Sequence, residues 1–126
     1  MTQENGEICM QYKEFSNGVS IPMLGFGTYE IDNADVPAAI QGALDAGYRH
    51  FDCAHIYGNE AAIGEAFKKA DVKREDLFIT SKVWNADQGY DKTLKAFEQT
   101  LADLQMDYLD LYLIHWPNED NFDLTL

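Results

Sequence analysis

The feature that most constrains this chain is a strict alternation of short apolar runs with amphipathic stretches of helical period. Met23-Leu24-Gly25-Phe26-Gly27 reads as a strand. Asn33 to Ala46 follows as a helix, with Val36, Ala39, Ile40, Ala43 and Leu44 on one stripe. Asn33 and Asp35 are candidate caps, Pro37 suits a first turn, and Gly47 suits a left-handed end. Tyr48 to Cys53 is a second strand. Asn59 to Ala70 is a second helix, with Ile63, Ala66, Phe67 and Ala70 on one face. Leu77 to Ser81 is a third strand. Asp91 to Gln105 is a third helix, with Leu94, Phe97, Leu101 and Leu104 facing inward. Leu109 to Ile114 is a fourth strand. Ahead of them, Tyr12 to Pro22 reads as a hairpin, with Asn17-Gly18 suited to a type I′ turn. Such an alternation implies a parallel sheet with right-handed crossovers. A strand-helix period of about 30 residues is also what an α/β barrel shows.

The strand ends carry the chemical signal. The first ends in Gly27-Thr28-Tyr29. The second ends in Asp52, with Tyr57 five residues on. The third ends in Lys82, with Trp84 after it. The fourth runs into His115-Trp116-Pro117. Taken singly, each residue has an ordinary explanation: a solvated lysine, a satisfied histidine, a packed tyrosine, a capping aspartate. Jointly they present Asp, Tyr, Lys and His to one rim, the C-terminal edge where parallel α/β folds bind ligands.

Composition narrows the partners. Nine Lys and Arg face 22 Asp and Glu, a net charge of -13. Nucleic acid and anionic membranes both need clustered positive charge, so neither is expected. No apolar run reaches the roughly 20 residues of a membrane span. The start, with Glu4 and Glu7, has no basic n-region or apolar h-region, so no secretory signal is expected, and the cysteine usage sets a reducing, cytoplasmic setting as the expectation. Cys9 and Cys53 form neither a disulfide framework nor a metal-ligand spacing, so no metal is expected. Cys53 reads as packing rather than as a redox group, and His55 as an exposed loop histidine near the rim.

The segment from Gly47 to Glu60, Gly-Tyr-Arg-His-Phe-Asp-Cys-Ala-His-Ile-Tyr-Gly-Asn-Glu, resembles the aldo-keto reductases, with Ile63-Gly64 extending the match. Ile79-Thr80-Ser81-Lys82-Val83-Trp84 and Leu111 to Pro117 resemble two further segments of that family, in the same order. Leu24-Gly25-Phe26-Gly27-Thr28 and the opening hairpin match as well. The likeness runs over about residues 12 to 117. It implies a (β/α)8 barrel with a hairpin closing the bottom, and NADPH-dependent reduction of aldehydes and ketones to alcohols. It further implies a catalytic tetrad of Asp52, Tyr57, Lys82 and His115. In that scheme Tyr57 donates a proton, Lys82 stabilises the resulting phenolate, Asp52 orients Lys82, and His115 orients the carbonyl. Gly27, Thr28 and Asp52 would meet the cofactor near its nicotinamide. Tyr29, Trp84, His115 and Trp116 would contact a small carbonyl substrate.

Length stands against the fold so described. A (β/α)8 barrel takes about 250 residues, and this chain has 126. The expected architecture is therefore the N-terminal half of such a barrel: a hairpin, then four parallel strands alternating with three helices. Residues 1–11 are expected to form a disordered lead to this single partial domain. The basic phosphate grip that the resemblance implies belongs to later strands, so activity is expected to need the second half of the barrel. Open edges at the first and fourth strands would suit a homodimer. The competing expectation is an inactive half-barrel that works as an assembly or interaction module.

Overall fold

The computed structural model describes residues 9–121. Residues 1–8 of the expected lead lie outside that range, while the Gln11 carbonyl accepts a hydrogen bond from Met23 N at 2.8 Å. Strands β1 (Tyr12–Glu14) and β2 (Ser20–Pro22) form the antiparallel hairpin. Its turn differs from the type I′ expectation. That type needs positive φ at both central residues, and only Gly18 has it, at 84°. Phe15 N bonds Val19 O at 2.7 Å, and the Asn17 carboxamide oxygen accepts from Val19 N at 3.0 Å. Asn17 serves the turn through its side chain rather than through a left-handed backbone.

The alternation stands as read. β3 (Gly25–Gly27), β4 (His50–Asp52), β5 (Phe78–Val83) and β6 (Leu111–Ile114) form one parallel sheet in the order β3-β4-β5-β6. Helices α1 (Val36–Asp45), α2 (Glu60–Lys69) and α3 (Tyr90–Leu104) connect them. This is the α/β half-barrel with a preceding hairpin. The register aligns Gly27, Asp52, Thr80 and Leu111 in one row. Lys82 lies two residues beyond Thr80 and so shares the face of Asp52. The alternate residues Phe51, Ile79 and Ser81 face the helices.

The core lies between sheet and helices. Phe51 and Ile79 are fully buried under Ile40 of α1, Ile63 and Phe67 of α2, and Leu104 of α3. The Phe51 and Phe67 rings meet edge to face at 4.9 Å, a favoured aromatic geometry. Each such side chain stabilises the fold by about 1.5–3 kcal/mol. Gly64 lets α2 approach α3: a Cβ there would sit 2.5 Å from the Asp103 carbonyl oxygen. Gly47, with φ of 96°, ends α1 as expected.

One expected core position is not in the core. Leu94 is 49% exposed. The buried side of α3 runs through Thr100 and Leu104, and Phe97 packs on Tyr112 with ring centroids 5.2 Å apart. Leu94, one turn earlier, lies beyond that cover. β3 and β6 each have a single hydrogen-bonded neighbour, so both edges of the sheet are open among the described residues.

Candidate active site

The C-terminal rim of the sheet brings the four polar residues together. Asp52 ends β4. The chain then passes through buried Cys53 and Ala54 into a 3-10 turn, His55–Tyr57, which carries Tyr57 back over the sheet. Gly58, with φ of 70°, reverses the chain into α2. Lys82 lies near the end of β5. His115 follows β6, where its backbone N–H donates to Val83 O at 3.1 Å and extends the ladder by one step.

Lys82 is the hub. Its Nζ donates to Asp52 Oδ1 at 2.7 Å, to the Cys53 carbonyl at 3.0 Å and to the Tyr57 hydroxyl oxygen at 3.3 Å. An ammonium has three N–H donors and no acceptor, so all three are engaged. Tyr57 O is thus an acceptor toward Lys82, and its own hydrogen remains free to point elsewhere. His115 stands across from Tyr57, with ring centroids 5.8 Å apart. Trp84 meets the His115 ring edge to face at 5.3 Å between centroids, and Trp116 lies nearly parallel to it at 6.3 Å. Burial, then the nearby Lys82 charge, lowers the His115 pKa from its ordinary value. The ring is therefore neutral at physiological pH and keeps one N–H. Its Nδ1 is buried and has no partner among the described residues. A neutral imidazole beside an aromatic wall can orient a carbonyl oxygen without supplying the proton itself.

Tyr29, Ile56, Tyr57, Trp84, His115 and Trp116 line an open pocket of about 450 Å³. Three of the four expected substrate contacts, Tyr29, Trp84 and Trp116, are aromatic walls of it. The fourth, His115, is its polar group together with Tyr57. Such a pocket, apolar with few polar groups, suits a small organic ligand. A hydrogen bond to the neighbouring Glu30 carboxylate raises the Tyr29 pKa, so Tyr29 stays a neutral phenol. Tyr57, not Tyr29, is the phenol bonded to the ammonium.

The expected cofactor residues divide. Gly27 is exposed at the end of β3, with nothing within 4 Å of where a Cβ would project. The Asp52 side chain beside it is 41% exposed. Thr28, in contrast, is fully buried: its N–H and its hydroxyl both donate to the Asp52 carbonyl, at 3.1 and 2.9 Å. It lies beneath the rim and braces Asp52. The open shelf of Gly27 and Asp52, next to Tyr57 and His115, fits the flat nicotinamide end of a dinucleotide. Neither arginine is free for its phosphates. Arg49 donates to the Leu44 and Tyr48 carbonyls, and Arg74 to Leu77 O, Tyr108 O and Asp110.

Several supporting residues escape a reading of the sequence. Ile56 lines the pocket. Gln88, 2% exposed, donates from Nε2 to the Trp116 carbonyl at 2.7 Å and holds that wall. Glu60, 3% exposed, accepts from Ser81 Oγ at 2.8 Å and Thr100 Oγ1 at 3.0 Å, tying α2, β5 and α3 together. Burial raises its pKa. Asn59 is buried as well. It stands at the cap position of α2 but makes no side-chain cap there. His55 Nδ1 lies 3.9 Å from Glu60. Burial pushes the Cys53 thiol up to about 12, which keeps it a neutral packing group.

A parallel α/β half-barrel thus carries a lysine-centred polar cluster on its C-terminal rim. Comparison with known proteins makes that specific. The model of the aldo/keto reductase family matches residues 23–123, and the chain belongs to this family. It is 51% identical over 107 residues to a glyoxal reductase of Bacillus subtilis, covering 84% of this chain and 39% of that protein. It is 48% identical over 107 residues to a 9,11-endoperoxide prostaglandin H2 reductase of Trypanosoma cruzi, covering 84% and 38%. Among solved structures, an aldo/keto reductase from Brucella melitensis superposes with a TM-score of 0.87 at 47% identity, over 93% of this chain and 46% of that one. The aldose reductase of Schistosoma japonicum gives 0.82 at 51% identity, over 86% and 37%. The chain thus spans about two fifths of the length of the curated relatives it matches.

Proposed function

We propose that this chain is the proton-donating part of an NADPH-dependent reductase that converts aldehydes and ketones to alcohols. The observation that carries the proposal is Lys82 Nζ bonded at once to Asp52 Oδ1 and Tyr57 OH. Gly27 and Asp52 would hold the nicotinamide, which when bound supplies the hydride. A carbonyl in the aromatic pocket would lie between Tyr57 and His115. As its carbon gains a hydride, negative charge grows on its oxygen. The His115 N–H stabilises and orients that oxygen. Tyr57 gives its hydroxyl proton to it, completing the alcohol and leaving a phenolate. The Lys82 ammonium already donates to that phenolate oxygen, and Asp52 and the Cys53 carbonyl keep the ammonium in place. Tyr29, Trp84 and Trp116 exclude water from the developing charge. The free thiols Cys9 and Cys53 suit a reducing, cytoplasmic setting.

The test joins this chain in frame to the C-terminal part of the Bacillus subtilis glyoxal reductase, which supplies the remaining strands. NADPH oxidation on adding glyoxal is the expected result. A well-folded joined protein that oxidises neither NADPH nor NADH with any aldehyde or ketone contradicts the proposal. A second reading, a non-catalytic assembly module, has the open edges of β3 and β6 in its favour. It expects a stable homodimer of the chain alone that does not quench nicotinamide fluorescence.

A further inference from the structure

Tyr29 is the most exposed wall of the pocket, at 65%. Outside its own loop one side chain meets it, the Tyr57 ring at 5.2 Å between centroids; its other partner, the Glu30 carboxylate, belongs to the same loop. Its position depends on the backbone of the loop after β3. That loop is an uneasy one. Glu30, directly after Tyr29, has a φ of 57°, a left-handed conformation that residues with a Cβ disfavour. The turn's own hydrogen bond, Ile31 N to Thr28 O, is long at 3.4 Å.

The missing restraint comes from α2's approach. Asn59, 2% exposed, donates from Nδ2 to Thr28 O at 2.9 Å and to Ile31 O at 3.0 Å. Both amide hydrogens are used, one on each side of Tyr29-Glu30. The price is visible: Asn59 Oδ1 is buried with no partner among the described residues, an arrangement native proteins rarely keep without cause. Thr28 in turn is fixed to the Asp52 carbonyl, so the clamp references Tyr29 to the strand that carries Asp52.

We propose that Asn59 is a positioning residue for the substrate pocket: its carboxamide clamps the Thr28 and Ile31 carbonyls and thereby sets Tyr29 as a wall against Tyr57. Its consequence for turnover rests on the reductase reading above; its structural part does not. Asn59 hydrogen-bonds neither Lys82 nor Tyr57 directly, so its main effect falls on how well a carbonyl compound is held rather than on the proton transfer.

The experiment reads the two parts separately. In the isolated, unmutated chain, nuclear magnetic resonance should show slow solvent exchange of the Asn59 side-chain amide protons and ring-to-ring contacts between Tyr29 and Tyr57. Asn59 amide exchange as fast as that of exposed Asn33 overturns the clamp with no variant needed. Asn59→Asp keeps the shape and removes both donors. It should lose the Tyr29–Tyr57 contacts while the Phe51–Phe67 contacts persist. Asn59→Ser, with a single donor, should weaken them partly and decides the matter where the aspartate variant does not fold. Persistence of the Tyr29–Tyr57 contacts in a folded variant overturns the proposal, whether or not the chain is an enzyme. In the joined reductase, Asn59→Ser should raise KM for glyoxal about tenfold with kcat within about twofold, the pattern of lost uniform binding. A fall in kcat at unchanged KM overturns the positioning role while leaving the reductase reading intact.

Discussion

Lys82 shows what a single residue can organise. Its three donors are shared among a carboxylate, a carbonyl and a phenol, so the ammonium is held in one place. Lys82→Met removes the donor to Tyr57 and leaves Asp52 without its counter-charge. In the joined reductase the reaction rate should fall by about 10²–10⁴, the range of a lost general-acid contribution; a change of less than about threefold would separate Lys82 from the chemistry. Glu60 offers an independent test. Its pKa is raised, with burial as the largest cause and the Ser81 and Thr100 hydroxyls opposing it. The folded state therefore favours the protonated form. Its contribution to stability is full below the ordinary value of 4.5 and is lost as pH rises through the raised folded value. Glu60→Gln removes that loss. In urea titrations, the variant's stability relative to the unmutated chain should improve as pH rises through this window. A difference that does not vary with pH would contradict the assignment. Asp52, Tyr57, Lys82 and His115 were legible in the sequence because each ends a strand or follows one closely. Asn59, Glu60 and Gln88 were not, because their partners are distant in the chain: Asn59 bonds Thr28, Glu60 bonds Thr100, and Gln88 bonds Trp116.

At the scale of elements, periodicity carried the fold. The stripes of α1 and α2 predicted their buried faces: Val36, Ile40, Ala43 and Leu44 of the first and Ile63 and Phe67 of the second all lie in the core. The stripe of α3 misled at Leu94, which stays 49% exposed while Thr100 and Leu104 supply the buried side of the helix. The hairpin turn misled for a different reason. Asn-Gly admits two geometries, and the bond from Val19 N to the Asn17 side chain goes with the one that leaves Asn17 at negative φ. The α2–α3 contact makes the sharpest prediction here. Gly64→Ala places a methyl against the backbone of Asp103 and Leu104. Neither backbone can yield without unseating Leu104 from the core. The variant should lose about 1–3 kcal/mol in urea denaturation, the cost of overpacking. An unchanged midpoint would mean that the two helices sit farther apart than described.

The described chain is an acidic half-barrel in which Asp52, Tyr57, Lys82 and His115 already stand together and both sheet edges are open among the described residues. Those two properties are separable. The site needs only β4, β5, β6 and the turn that carries Tyr57. The edges at β3 and β6 invite a further strand on each side, and a net charge of -13 opposes self-pairing at low ionic strength. Sedimentation of the chain alone should therefore show association that strengthens with added salt; association that weakens with salt would point to charge pairing instead. The central claim is that Tyr57, activated at Lys82, delivers the proton. The most direct test is single-turnover reduction of glyoxal by NADPH in the joined reductase, comparing Tyr57→Phe with the unmutated protein. The account predicts a rate lower by about 10²–10⁴ at unchanged NADPH affinity. Equal rates in the two proteins would contradict it.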